Sequence, residues 1–381
     1  MLKSNIAWMK KNVPSDLKVW KGMIQDIDWS QVAAKAKLSL QRDKDRITAE
    51  FKEFAAMDTS AKIDWLMNGD RHLGYLYKKD AIAFARREWK GLKSVGYDFV
   101  GWLKIWGGML NMVMKDPMSI MLAVFEYHWF ASYLATPAVV DRSVFGRRGK
   151  LLQADFDMWV AITHWAEDLI ANLIMADAKI GGNEKINKRI IMFDEMTMAQ
   201  MMAGFPNLLG IPYQMIPVFM VSEMDQLTLI PYIDAIESYG LPSDTCPLPT
   251  AECGCAVKDE YPMCGQGFIA SSMPCDGSVM ATSFQDRRFS KFMPSYPLCM
   301  PVRYDDEDTT EMAAADMKDC IHWVEGLTGE TWNWDTYFAT MEKMNECTRL
   351  EMEKWEINKT HYPQLVGSSF ELFRKWNYEM D

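Results

Sequence analysis

Between residues 184 and 310 the chain carries four short apolar runs, "KRIIMFDE", "IPYQMIPVFM", "GFIASSM" and "YPLCMPVRY", each followed by residues of helical character. Strands that alternate with helices of about a dozen residues pair in parallel, which predicts an α/β fold with an open, mainly parallel sheet. Pro212 and Pro217 limit how much of the second run enters a central strand, because proline cannot donate to the ladder. In such sheets ligands bind in the crevice beyond the carboxyl ends of the strands. Those ends carry Asp194 and Glu195, then Cys275 with Asp276, then Arg303 with Asp305 and Asp306.

The flanking regions read differently. Residues 1–183 have helical spacing almost throughout, as in "SQVAAKAKLSLQRDKDRITAEFKEFAAMD", and residues 311–381 return to helix with "WDTYFATMEKMNECTRLEMEKWEI". The expected organisation is thus a helical N-terminal extension (1–183), an α/β lobe (184–310) and a C-terminal helical segment (311–381). The most apolar stretch, residues 117–140, has the length of a membrane span but holds Glu126 and His128 near its middle and an internal proline. A buried helix, or one packed on a partner chain, fits it better. A net charge of −11 argues against nucleic acid as a partner, since phosphate binding needs clustered Lys and Arg. The N-terminus shows no signal-peptide pattern, so the expected compartment is the cytoplasm.

The eight cysteines all fall from Cys246 onward, and no secretion signal accompanies them, so metal binding or buried thiols are expected rather than a disulfide framework. Cys275 follows a strand and opens a helix, where backbone N–H groups favour the thiolate that ligates metal. A buried structural thiol is the alternative. Cys246 lies in a Pro-rich loop, and the intervals from it to Cys253, Cys255 and Cys264 fit neither a zinc knuckle nor a bacterial ferredoxin run. Cys299, Cys320 and Cys347 sit in strand-like or helical contexts and are expected to be core thiols. The five histidines form no ligand pattern.

From about residue 184 onward the sequence resembles the 2-hydroxyacyl-CoA dehydratase family, which includes the ATP-dependent benzoyl-CoA reductases. The matching pieces are "KRIIMFDE…AQMMAGFPNLLGIP", "IESYGLPSDTCPLPTAECG", "GFIASSMPCDGSVM", "YPLCMPVRYDDE" and "VEGLTGETWNWDTYFATMEKMNE", in that order. The resemblance implies a [4Fe-4S] cluster with Cys246 and Cys275 as ligands, next to an acyl-CoA substrate. It also implies an ATP-dependent iron–sulfur activator that delivers one electron. In dehydratases that electron turns the thioester carbonyl into a ketyl radical that expels a hydroxyl group, and in the reductases it enters an aromatic ring.

The third cluster cysteine of the family comes from a second α/β lobe. Here another chain is expected to supply it, with Cys253, Cys255 and Cys264 as substitutes within this one. Arg303 is a candidate contact for the CoA phosphates. Gln200 stands where many members carry a Glu; a glutamine is no general base, which leaves Glu195 and Asp194 as the acids at that strand end. These residues together point to an enzyme subunit, a dehydratase first and a ring reductase second, with a cluster-free scaffold subunit as the non-enzymatic alternative.

Overall fold

Four short strands, β1 (Ile190–Phe193), β2 (Leu209–Pro212), β3 (Gly267–Ser271) and β4 (Ser295–Leu298), pair in parallel in the order β2-β1-β3-β4. The structure is a computed structural model that describes residues 18, 21–42, 44–62, 92–134, 150–193, 199–213, 217–218, 221, 226–272, 276–289, 293–299, 301, 306–359 and 361. The expected α/β class holds, and each of the four strands lies in or beside its apolar run. Pro212 ends β2, which is an edge strand, so its missing N–H breaks no central ladder.

The helices before the sheet are α1 (Trp29–Arg42), α2 (Lys44–Ala56), α3 (Leu92–Lys115), α4 (Pro117–Glu126), α5 (Phe130–Leu134), α6 (Lys150–Ala176) and α7 (Glu184–Asn187). Within and after the sheet come α8 (Ala199–Met202), α9 (Ile230–Glu237), α10 (Pro247–Val257), α11 (Asp276–Phe289), α12 (Glu307–Thr328) and α13 (Trp334–Asn358). Helix starts follow their capping residues. Asp116 accepts from the Ser119 amide ahead of Pro117, and Asn333 accepts from the Thr336 amide. Gly329, in the left-handed region at φ 77°, closes α12.

Alternation along the strands splits the core into two layers, as a parallel sheet buried on both faces requires. Ile190, Met192, Phe268 and Ala270 face one side, with Tyr127, Trp129, Ile170 and Tyr232 in the same apolar cluster. Ile191, Phe193, Ile269 and Leu298 face the other, against Met202, Phe205, Ile321, Val324 and Trp332. The helices α9, α10 and α11 serve the first face, while α8 and α12 serve the second. The β1-to-β2 and β2-to-β3 connections run in opposite directions across the sheet, and crossovers of one hand must then lie on opposite faces, which is what is seen.

The apolar stretch at 117–140 breaks into α4 and α5, and its residues 135–140 lie outside the described ones. Glu126 pairs with Lys35 of α1, and Arg42 donates to the carbonyls of Phe125 and Glu126 at the open end of α4. The Glu126 carboxylate is thus paired, and at His128 the backbone amide donates to Glu260 Oε2 (2.8 Å) while the ring lies edge-on to Tyr232 at 6.1 Å. Among the described residues no helix is long and apolar enough to cross a membrane.

A buried polar network ties these helices to the amino end of β3. Tyr127 donates to Asp177, whose Oδ1 also accepts from the amides of Met263 (2.8 Å) and Lys179 (3.0 Å). Burial pushes the Asp177 carboxyl above its ordinary value, while these donors and Lys179 pull it back down. Tyr232 and the His128 amide share Glu260 Oε2, and the Trp129 indole donates to the Glu260 carbonyl. Asp177→Ala strips several buried donors of their acceptor and is expected to cost about 3 kcal/mol, read as a lower urea midpoint. An unchanged midpoint would show the network to be dispensable.

The helix expected over "MTMAQMMAGFPNLLG" is shorter than its apolar spacing suggested. Only α8 is helical among its described residues, and the chain turns at Gly204. The Trp332 ring lies so near Gly204 that a Cβ there would fall within it, and the Asn333 amide donates to the Gly204 carbonyl (2.8 Å). Tertiary packing against residues far along the chain therefore sets this helix end.

Candidate functional site

The strand order reverses at β1 and β3, since the connection from β1 runs to one side and the chain then returns past it to β3. Ligands of open α/β sheets sit beyond the carboxyl ends of the strands at such a switch point. On that side the strands end at Phe193, Ser271 and Leu298.

Two helix N-termini meet at this edge. Because α11 leaves the carboxyl end of β3, and α10 runs back to feed its amino end, both helices begin on the same side of the sheet. They are in contact: Cys253 of α10 and Ala281 of α11 share one buried cluster with Ile236 of α9. At about 1.5 Å per residue, Cys246 and Asp276 lie one to two turns back from that contact, roughly level with each other.

Cys246 is the N-cap of α10, with Pro247 at the first helical position. Its carbonyl accepts from the amide (3.3 Å) and hydroxyl (2.8 Å) of Thr250, while its side chain makes no capping bond. The backbone is thus fixed and the sulfur is left exposed. Asp276, the next residue after Cys275, opens α11 and is exposed.

Several expected site residues, Asp194, Glu195, Cys275, Arg303 and Asp305, lie outside the described ones. Gln200 stands in α8, half-buried. Asp306 caps α12, and its hydrogen bonds from the Thr309 side chain and amide hold its carboxyl below the ordinary range. Its local role is that of a helix cap.

The remaining sulfurs sort by burial. Cys253, Cys255, Cys264 and Cys320 are in the core. Burial pushes the thiols of Cys253 and Cys320 up to about 12 and that of Cys264 well above its ordinary value, which opposes the thiolate needed for metal. The "CGC" spacing has a packing cause: Gly254 lies against the backbone of Tyr232, and the cysteines on either side are small apolar fillers.

Cys299 departs from the expected core thiol. It follows β4 directly and is exposed. Its amide donates to Asp316 Oδ2 of α12 (2.7 Å), and the other oxygen of that carboxylate accepts from Tyr296 (2.8 Å). No sequence signal marked this, because Cys299 lies one residue past Leu298 and the end of the ladder is set by the fold.

Soft thiolates are what iron–sulfur clusters require, and the two exposed sulfurs Cys246 and Cys299 stand at or beside the carboxyl edge while the core thiols lie deeper. Their sulfur is the kind of donor such a group takes. Among the described residues no three or more His, Cys, Asp and Glu side chains gather as a metal site.

Residues 226–378 match the family model described as 2-hydroxyglutaryl-CoA dehydratase, D-component. The resemblance to the 2-hydroxyacyl-CoA dehydratase family is borne out over that part, which contains α9 to α13, β3, β4 and the two helix N-termini at the edge. This portion of the chain is similar to a dehydratase component. No curated protein and no solved structure matches the chain.

Proposed function

We propose that the chain is a cytoplasmic subunit of an iron–sulfur enzyme that dehydrates a 2-hydroxyacyl-CoA, working with a second subunit and an ATP-dependent iron–sulfur activator. The observation that carries this reading is the placement of Cys246. Within the span that matches a dehydratase component, it presents an exposed sulfur at the carboxyl edge of a parallel sheet. The reading assigns Cys246 and Cys275 as cluster ligands, 29 positions apart in the chain.

When bound, a [4Fe-4S] cluster supplies one-electron chemistry that no side chain offers. The work of the polypeptide is binding and orientation. The Thr250 bonds hold the Cys246 backbone, and the contact between α10 and α11 keeps the two helix starts in register. Arg303 is assigned to the CoA phosphates and Glu195 to proton transfer at the substrate, with Gln200 as a neutral hydrogen-bonding neighbour. The sheet with its helical flanks at 184–310 is assigned as the cluster-binding lobe.

The experiment is iron and sulfide analysis with EPR on the complex purified without oxygen, for wild type and Cys275→Ala. The expected result is a cluster of about four irons per complex that is lost in the variant. Iron-free wild-type complex would overturn the enzyme reading and favour a scaffold subunit.

A further inference from the structure

None of the 25 residues of α13 is fully buried. Its half-buried residues, among them Tyr337, Met344, Cys347 and Glu351, form one row at helical spacing. Next to that row runs a more exposed apolar stripe, on which Phe338, Met352 and Trp355 are 57%, 58% and 49% exposed, with Trp334 ahead of them at 48%. Single exposed apolar residues are ordinary on a protein surface, whereas a stripe of large ones along a helix marks an interaction site.

The stripe reads alike from both ends. Phe338, Met341, Asn345, Thr348, Met352 and Trp355 follow at intervals of 3, 4, 3, 4 and 3 residues, the heptad spacing of paired helices. An aromatic ring stands at each end, a methionine comes next, and a small polar residue lies on each side of the middle. We infer that α13 pairs with α13 of a second copy of this chain, antiparallel about a two-fold axis. Phe338 then meets the partner's Trp355, Met341 the partner's Met352, and Asn345 the partner's Thr348. Each contact occurs twice, as a two-fold interface requires. The polar pair at the centre fixes the register, as a buried Asn does in coiled coils.

Charge selects the same direction. Glu342 and Arg349 each follow a stripe residue directly and so lie on one flank. In the antiparallel register Glu342 comes within two residues, about 3 Å along the axis, of the partner's Arg349, at two symmetric places. A parallel pair would leave the two about 10 Å apart along the axis. Arg349 is held on the exposed side of its own helix by Glu346 (2.6 Å) and Glu353.

Size sets the strength. Three half-exposed aromatic side chains offer roughly 300 Å² per copy. With Met352 and the stems of Glu342 and Arg349, the two copies bury on the order of 1,000 Å², the lower end for a specific interface. Such a dimer is expected to dissociate on dilution through the micromolar range.

The test is sedimentation equilibrium across that range on the full chain, alone and in its purified complex. Two copies per particle are expected at the upper end in both. Phe338→Glu combined with Met352→Glu is expected to raise the dissociation constant at least tenfold, with helicity by circular dichroism unchanged. Glu342→Arg and Arg349→Glu are each expected to raise it about fivefold, and the two together to return it to within about twofold of wild type. One copy per particle throughout, whether alone or beside a different subunit, would overturn the inference. So would a dimer that tolerates charge on the stripe, or a double reversal no better than the single ones, because the contact would then lie elsewhere or in another register.

Discussion

Glu167→Gln is expected to raise the unfolding temperature by several degrees at pH 8 and to leave it nearly unchanged at pH 4.5. Glu167 lies on α6 facing α3, is 1% exposed, and both of its carboxylate oxygens are buried without a hydrogen-bond partner. Burial, with the neighbouring Asp168 charge as a lesser cause, raises its carboxyl from 4.5 to about 8. The groups around it give little relief: His164 is engaged with the Lys104 carbonyl (3.0 Å), and Asp168 is paired with Lys115 (2.6 Å). Gly108 of α3 leaves the space, since a Cβ there would lie 2.5 Å from Glu167 Oε2.

Proton counting gives the sign. Between the unfolded and folded values the folded chain holds a proton that the unfolded chain has released, so stability falls as pH rises across that window. Below the unfolded value nothing is lost, and above the folded value the loss is complete. A shift of this size amounts to about 5 kcal/mol over the full window, and about 3 kcal/mol at pH 7. The amide of Gln keeps the shape and cannot ionise, so the variant should lose this slope. Asp177, also raised by burial, gives a smaller trend of the same sign in both proteins. Equal slopes for wild type and Glu167→Gln, measured by urea unfolding from pH 4.5 to 9, would show that Glu167 is ionised or solvated in the fold.

Glu167 also shows where a sequence stops being informative. In "HWAEDLI" nothing in the sequence distinguishes the two adjacent acids, yet the helix turns one inward and the other out, with Asp168 57% exposed at its side chain. Which acid is buried depends on the closeness of α3, and Gly108 acquires that meaning only once the two helices are packed. The strands were legible for the opposite reason. Both faces of a parallel sheet are buried, so "RIIMF" and "GFIAS" stand out as apolar runs whatever packs on them. Cys246 was legible too, because a Pro-rich loop before a helix marks an N-terminus in the chain itself. Cys299 was not: its exposure depends on where the β3–β4 ladder ends and on Asp316, 17 positions away. Cys253 and Cys255 stood as substitutes for the third ligand because spacing cannot reveal that a helix backbone lies against the glycine between them.

That glycine carries the second large effect. Gly254→Ala is expected to destabilise the protein by at least ~2 kcal/mol, although alanine is the better helix former by about 1 kcal/mol. A Cβ at Gly254 would stand 2.5 Å from the carbonyl carbon of Tyr232 and 2.9 Å from its Cα, and nearer still to the carbonyl oxygen. All three atoms are backbone, so no side-chain rotation relieves the overlap, and α9 and α10 must move apart. The movement would strain the bond from Tyr232 to Glu260 (2.6 Å) and shift the start of α10, where Cys246 is fixed. Gly326→Ala is the control, because it lies in α12 with nothing within 4 Å of the added Cβ and should be neutral or stabilising by up to about 1 kcal/mol. Urea midpoints that fall for Gly254→Ala and not for Gly326→Ala, together with a loss of bound iron at temperatures where the variant is still folded, would tie the seating of α10 to the cluster edge. A Gly254→Ala protein as stable as wild type would mean that α9 and α10 are not packed backbone to backbone, and the level placement of the two helix starts would lose its support.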